Sequence, residues 1–329
     1  MTTLTTRPTY SGGRTAGALS LITGTANHAL GEAVASALGV SLLSAQVQHF
    51  PDGEQHAELL DSVRGADVFI IQPTSPPVDR HLIELLLLCD AARRAGAGRV
   101  TAVLPYFGYA RQDRRAHGRE SLAARMVADA IAAVGVDQVI AVDVHGRSIE
   151  GFCSVPLEQL TAAPILLEEM RRLPILCDSV VVSPDFGAVK LAEYYARKLN
   201  LPMAVVRKTR VSGTAVTVSG VSGSVRGRVP IIVDDMISTG ATIKAASDAL
   251  QQEGALPGAI VVATHALFVG EAADNLCGEW LNRVITTDTV RQEAGTCINV
   301  ERISVAALLA QAVGRMHHSE SLEGLISYG

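Results

Sequence analysis

Short β-branched runs alternate with longer stretches of helical periodicity along almost the whole chain, and the alternation restarts once. Runs at 19–23, 67–72, 100–105 and 139–142 predict strands, and the intervening segments 27–38, 79–95 and 120–134 carry apolar residues at helical spacing. The pattern returns with strands predicted at 180–183, 203–206, 231–234, 259–264 and 284–287, and helices at 189–198 and 242–253. Such alternation builds mostly parallel sheets, because parallel strands need long crossovers that helices supply. The expected fold class is therefore α/β, in two similar domains, each a mostly parallel sheet flanked by helices. The Pro-punctuated stretch 156–174 is the expected junction. The predicted organisation is a flexible polar tail over 1–18, an N-terminal domain over 19–158, a C-terminal domain over 159–315 and a C-terminal tail over 316–329.

Length and composition agree with two globular domains. The chain has 329 residues, about two domains at roughly 150 residues each. Hydrophobic residues make up 48% and charged residues 19%, ordinary globular usage, so a disordered or fibrous chain is excluded and a soluble protein expected. The net charge is −5 without a long basic run, which argues against a dedicated nucleic-acid binder and requires any anionic ligand to be held locally. No apolar run approaches the eighteen or so residues of a membrane span, and the first residues lack the apolar core of a signal peptide. The five cysteines are scattered without a C-x-x-C pair, so neither a zinc site nor a disulfide framework is expected, which suits a reducing cytoplasm.

The sharpest chemical signal is Val229-Pro-Ile-Ile-Val-Asp-Asp-Met-Ile-Ser-Thr-Gly-Ala-Thr-Ile243, an apolar strand ending in two carboxylates and passing through a Ser/Thr/Gly turn into a helix. Backbone N–H groups and hydroxyls converge at such a turn, which is what a phosphate monoester needs. Asp234 and Asp235 at the strand end can accept hydrogen bonds from sugar hydroxyls or hold a hydrated Mg²⁺. An ordinary N-cap by Ser238 or Thr239 would explain one hydroxyl but not the two acids beside it. Pro105-Tyr-Phe-Gly-Tyr-Ala-Arg-Gln-Asp-Arg-Arg115 follows another strand and offers Arg111 as a planar fork for phosphate oxygens and Gln112 as a neutral donor. Phe50-Pro-Asp-Gly-Glu54 predicts a tight turn at Asp52-Gly53 whatever its function. Asp143-Val-His145 and Ser183-Pro-Asp185 each close a predicted strand, where α/β sites form, although a core histidine or a plain turn would account for either alone. Val206-Arg-Lys-Thr-Arg210 leads into a Gly- and Ser-rich segment over 211–227, consistent with a mobile, cation-bearing flap or with a solvated basic turn.

The loop at 229–243 resembles the ribose-phosphate binding loop shared by type I phosphoribosyltransferases and ribose-phosphate pyrophosphokinases. The motifs at 105–115 and 50–54, with the segment 63–75 in register behind the latter, are similar to the pyrophosphokinases alone, and the resemblance runs from about Leu21 to about Ala312. It implies two type I phosphoribosyltransferase-like domains and transfer of the β,γ-diphosphoryl group of ATP to the C1 hydroxyl of ribose 5-phosphate, with Mg²⁺ as cofactor. Carried over residue by residue, it assigns ATP to Phe50, Asp52, Glu54, Arg111, Gln112, Asp113 and His145. It assigns Mg²⁺ to Asp143, His145 and Asp185, ribose 5-phosphate to Asp234, Asp235, Ser238, Thr239, Gly240, Ala241 and Thr242, and catalysis to Lys208, Arg210 and His145. It further implies a cytoplasmic homo-oligomer, a hexamer or another dimer-based assembly, in which the 50–54 hairpin reaches a neighbouring subunit's site. A phosphoribosyltransferase and a catalytically silent subunit of the same fold stand as alternatives. The chain departs from the family pattern at Ala241 and at Phe186-Gly187-Ala188, where glycines are usual, at Cys153-Ser154 for Phe-Asp, and at Ser148 for Gln.

Overall fold

The structure, a computed structural model, describes residues 17–115, 117–146, 148–210, 216–292 and 297–326; for 208–210 and 216–219 it describes the backbone alone. In the first half, β1 (Leu19–Thr23) and α1 (His28–Leu38) precede a hairpin of β2 (Ala45–His49) and β3 (Gln55–Leu59). Then come β4 (Asp67–Ile71), α2 (Val78–Arg94), β5 (Arg99–Leu104), α3 (Ala123–Ala133), β6 (Gln138–Val142), the short α4 (Ile149–Phe152) and β7 (Leu157–Leu160). The second half opens with α5 (Ala163–Met170), β8 (Ser179–Ser183), α6 (Val189–Leu199), β9 (Met203–Arg210), β10 (Val216–Ser222) and β11 (Val229–Ile237). It continues through α7 (Ala241–Gln252), β12 (Ala259–Ala266), α8 (Ala272–Leu276), β13 (Leu281–Thr287), β14 (Val300–Ile303) and α9 (Ala306–His317).

The first sheet is wholly parallel in the order β1-β4-β5-β6-β7, and the second runs β10-β9-β8-β11-β12-β13-β14 with only β10 antiparallel. Every residue of β4, β8 and β12 is buried, as expected for strands covered by helices on both faces. The expected α/β architecture is present. The strands that the sequence reading passes over are edge or hairpin strands, and the helices α4, α5, α8 and α9 are passed over with them. β2 and β3 alternate half-buried with exposed residues, and the polar residues on their open face dilute the apolar signal. The Pro-punctuated stretch is itself β7 followed by α5, with Pro164 in the first helical turn, where a missing N–H costs nothing. Part of the Gly/Ser-rich segment, β10, pairs with β9; residues 211–215 lie outside the described residues.

The last helix returns to the first sheet. Leu309 and Val313 of α9 are buried with Leu30 and Val34 of α1 and Phe69 of β4. Arg99 binds both carboxylate oxygens of the buried Asp67 at 2.6 and 2.5 Å and donates to the Met316 carbonyl at 3.0 Å, while His317 Nδ1 stands 2.7 Å from Asp67. The two halves are thereby stitched at the bottom of the first sheet as well as at the cleft described below.

One expectation is corrected. Cys277 and Cys297 form a disulfide, with Cα atoms 5.9 Å apart. No local motif announces it, because the partners are twenty residues apart in sequence and come together only when the chain returns to the end of α8. Cys89, Cys153 and Cys177 are free; burial pushes the Cys89 thiol up to about 12 and that of Cys153 to about 11, which makes both poor nucleophiles. Among the described residues no helix is long and apolar enough to cross a membrane.

Candidate active site

The C-terminal ends of the two parallel sheets face one cleft of about 560 Å³, within the usual range for small-molecule sites. From the second half, β11 delivers Asp234 and Asp235, and the turn Ser238-Thr239-Gly240 feeds into α7. Gly240 has φ +74°, and a Cβ there would meet Leu276 Cγ at 2.7 Å, so both backbone and space require glycine. The turn's carbonyls are taken from behind: Leu267 N–H donates to Ile237 at 2.8 Å, Val269 N–H to Ser238 at 3.1 Å and Asn275 Nδ2 to Thr239 at 2.9 Å. No side chain caps the start of α7, which leaves the helix N-terminus to the cleft. Ser238, Thr239, Gly240 and Thr242 line the cleft, whereas Ala241 does not.

From the first half, the loop after β5 divides its residues by chemistry. Tyr106 and Phe107 are buried, and Phe107 joins the core, while Arg111 and Gln112 are exposed. Arg111 and Asp113 line the cleft, and Gln112 does not. Asp113 accepts from Ser148 Oγ at 2.6 Å, which ties the Asp143-Val-His145 loop to the 105–115 loop. His145 Nδ1 lies 2.5 Å from Asp235 Oδ2, a contact between the two halves of the chain. The hydrogen bond and charge of Asp235 raise the His145 pKa against the opposing effect of burial. Burial pushes Asp235 upward, but the hydrogen bond and charge of His145 outweigh it and leave the carboxyl below its ordinary value. Asp234 is held well above its ordinary value by burial, then by the like charges of Asp235 and Asp185.

The expected metal set separates. His145 and Asp185 line the cleft, but Asp143 lies behind it, its Oδ2 accepting the Ala162 N–H at 3.0 Å and the Thr264 hydroxyl at 2.7 Å. Among the described residues no three metal-binding side chains stand together. Asp185 Oδ1 accepts the Gly187 N–H at 2.8 Å in a tight turn. Lys208 and Arg210 fall at the end of β9, paired with Val218 and Val216 of β10, and their side chains lie outside what is described. Phe50, Asp52 and Glu54 stand on the exposed tip of the β2–β3 hairpin and do not line the cleft of their own chain. The turn there is as the sequence predicts: Gly53 N–H donates to Phe50 at 2.9 Å, Glu54 N–H to Asp52 Oδ1 at 3.1 Å, and Gly53 has φ +95°.

Sequence reasoning passes over Arg114, a cleft residue inside a motif already singled out, and Thr264 and His265 at the end of β12. The latter pair carries the same signal as Asp143 and Asp234, polar residues closing an apolar parallel strand. His265 is fully enclosed, and burial lowers its pKa, so the imidazole is neutral.

Two family models match the chain, the N-terminal domain of ribose phosphate pyrophosphokinase over residues 19–135 and the phosphoribosyl synthetase-associated domain over residues 211–327. A ribose-phosphate pyrophosphokinase of Chromobacterium violaceum is 41% identical over 94% of this chain and 95% of its own length. Another, from Vibrio parahaemolyticus, is 42% identical over 94% of this chain and 99% of its own. The crystal structure of phosphoribosylpyrophosphate synthetase from Mycobacterium smegmatis superposes with a TM-score of 0.85 at 35% identity, covering 92% of this chain and 99% of that one. With the same pair of domains around a cleft of this composition, and with relatives matched end to end, the chain belongs to the ribose-phosphate pyrophosphokinase family.

Proposed function

We infer that the protein is a ribose-phosphate diphosphokinase, converting ATP and ribose 5-phosphate to 5-phosphoribosyl 1-diphosphate and AMP for nucleotide biosynthesis in the cytoplasm. The observation that carries this reading is the meeting of two chemistries in one cleft: an uncapped helix N-terminus with two strand-end acids on one side, Arg111 and His145 on the other. Ser238 to Thr242 hold the 5-phosphate, and Asp234 and Asp235 accept from the ribose hydroxyls. The C1 hydroxyl oxygen bonds to the β-phosphorus and gives up its proton to solvent as the bond from that phosphorus to the α-phosphate oxygen breaks, and AMP leaves with that oxygen. Little covalent help is needed for such a transfer; positioning and cations around the moving phosphates supply most of the acceleration. Arg111 on the cleft wall and Lys208 and Arg210 from the β9–β10 hairpin supply such cations, with Arg114 also lining the cleft.

The donor set fits Mg²⁺. Asp185, Asp234 and Asp235 place like charges around one cleft, which add to burial in pushing Asp234 well up, and a divalent cation would relieve that repulsion. Mg²⁺ characteristically keeps waters and takes one or two carboxylates plus substrate phosphates, so Asp185 and His145, which both line the cleft, would hold the metal, which would neutralise phosphate charge when bound. Asp143, spent on Ala162 and Thr264, orients the loop that carries His145.

The exposed hairpin tip, with Phe50 48% accessible, offers adenine an aromatic face and edge acceptors outside its own chain's cleft, which supports a composite site in a homo-oligomer. Incubating the purified protein with ATP, Mg²⁺ and ribose 5-phosphate is expected to release AMP only when all three are present. AMP without the sugar, or none at all, defeats the reading. Mixing a Phe50→Ala, Glu54→Ala variant with a Lys208→Ala, Arg210→Ala variant under subunit exchange tests the composite site: activity returns if the hairpin acts in the neighbour, and stays absent if it does not.

A further inference from the structure

His265 touches both halves of the molecule. It closes β12 in the second half, yet its Nε2 lies 3.0 Å from the Val142 carbonyl and 3.2 Å from the Asp143 carbonyl, at the end of β6 in the first. A carbonyl only accepts, so Nε2 carries the ring proton, and the neutral ring then presents Nδ1 as an acceptor. Thr289 Oγ1 has two acceptors in reach, Nδ1 at 2.9 Å and the Thr264 carbonyl at 3.2 Å; Thr287 Oγ1 already serves that carbonyl at 2.7 Å, which leaves the Thr289 proton for Nδ1. The tautomer is thereby fixed by its neighbours and every polar atom of the ring is used. The ring also stands edge-on to Tyr106 at the start of the 105–115 loop, with centroids 5.1 Å apart. Beside it, Thr264 Oγ1 donates to Asp143 Oδ2 at 2.7 Å, and Asp143 itself sits at φ +37°, a conformation a non-glycine residue keeps only when its surroundings hold it.

We propose that His265, with Thr264, is a positioning residue that sets the Asp143-Val-His145 loop and the 105–115 loop at the correct height against Asp235 and the ribose-phosphate turn. The proposal rests on the diphosphokinase reading for its kinetic consequence but not for its structural one. Neither side chain need touch substrate. Their hydrogen bonds run from the strand next to β11 into the strand end that carries His145, so they fix the distance across which the two substrates meet. Proximity effects depend steeply on that distance.

The test uses the full chain and three variants. His265→Leu keeps bulk and removes the donor, Thr264→Val keeps shape and removes the hydroxyl, and His265→Gln restores an N–H donor. His265→Leu and Thr264→Val are expected to lower kcat about tenfold to 10²-fold, the scale on which a misplacement of about 1 Å acts. Affinity for ribose 5-phosphate, measured by calorimetry, should stay at the parent value, and His265→Gln should recover much of the turnover. Hydrogen exchange reads the structural half without activity: amides 143–146 should exchange faster in His265→Leu and Thr264→Val, with 238–242 unchanged. Parent-like exchange at 143–146, or a loss in His265→Gln equal to that in His265→Leu, overturns the proposal. If His265→Leu does not fold, Thr264→Val alone decides. Absence of AMP formation by the parent protein would defeat the diphosphokinase reading while the exchange result still judges the positioning role.

Discussion

The two halves use one topology, and the same place in it opens a site in one half and is plugged in the other. In the first sheet β1 pairs with β4, which leads through residues 72–77 into α2; in the second β8 pairs with β11, which leads through the 238–240 turn into α7. The hairpin β2–β3 precedes β4 as the hairpin β9–β10 precedes β11. The turn after β11 faces the cleft with two acids and two hydroxyls. The turn after β4 is sealed by its own side chains. Gln72, Thr74 and Ser75 are buried, the Thr74 hydroxyl accepts the Gly108 N–H at 2.7 Å, Gln72 Oε1 accepts the Ala26 N–H at 3.2 Å, and the Ser75 carbonyl pairs with His81 at 2.7 Å. Nearby, the buried Glu84 takes the Thr25 N–H and hydroxyl, both at 2.6 Å. The fold supplies a position for a ligand-binding turn; whether it binds depends on whether the protein's own groups already satisfy the donors there.

The largest effect should come from the β9–β10 hairpin. Lys208→Ala or Arg210→Ala is expected to lower turnover about 10² to 10³-fold, on the scale of losing one preorganised donor to developing charge. Ribose 5-phosphate affinity should fall far less, as expected of cations that engage the transferring group mainly in the transition state. Steady-state kinetics on both variants checks it, and a loss confined to the sugar's affinity would remove them from catalysis. Next, Asp234→Ala should weaken ribose 5-phosphate binding by about 1.5–3 kcal/mol, the range for hydrogen bonds to charged groups. Separate titrations should show a smaller change for ATP; equal losses would assign this turn to the wrong substrate.

The plugged turn predicts the reverse pattern. Thr74→Val strands the Gly108 N–H and should cost about 1–3 kcal/mol of stability in denaturant unfolding, while ribose 5-phosphate affinity is unchanged. A loss of affinity without a loss of stability would erase the distinction between the two turns. The smallest effect concerns the His145–Asp235 contact, which joins the loop after β6 to the end of β11. His145, raised above its ordinary 6.5, contributes stability that is full below that value and lost as pH climbs through the raised one. Asp235, lowered below its ordinary 3.8, contributes stability that is present above that value and lost as pH falls through the lowered one. The destabilisation caused by His145→Ala in metal-free buffer should therefore be largest between about pH 4 and pH 6.5 and shrink on either side. Unfolding curves across that range give the answer, and a pH-independent difference would mean the pair is not an ion pair in solution.

The strands with two buried faces were legible because their apolar runs are continuous, as in Ile231 to Val233 and Ala259 to Ala263. The turn after β11 was legible as a candidate site because its chemistry is contiguous: strand, two acids, hydroxyls, glycine and helix lie within fifteen residues. Asp143 was ambiguous for the opposite reason. An acid at a strand end reads the same whether it faces a ligand or holds a backbone N–H 19 residues away and a hydroxyl 121 residues away. His265 carried the right local signal, but its partners, Val142 and Thr289, are far off in sequence.

The sequence by itself determined the α/β class, the pairing of two like halves and the order of the chemical motifs, because hydrophobic periodicity and short turn chemistry are local properties. Only the tertiary structure decided which turn is open and which is filled, that α9 folds back onto the first sheet, that Cys277 meets Cys297, and that His145 faces Asp235 across the cleft. Each of these depends on where crossovers bring residues twenty to more than two hundred positions apart, and no periodicity within a segment encodes that distance.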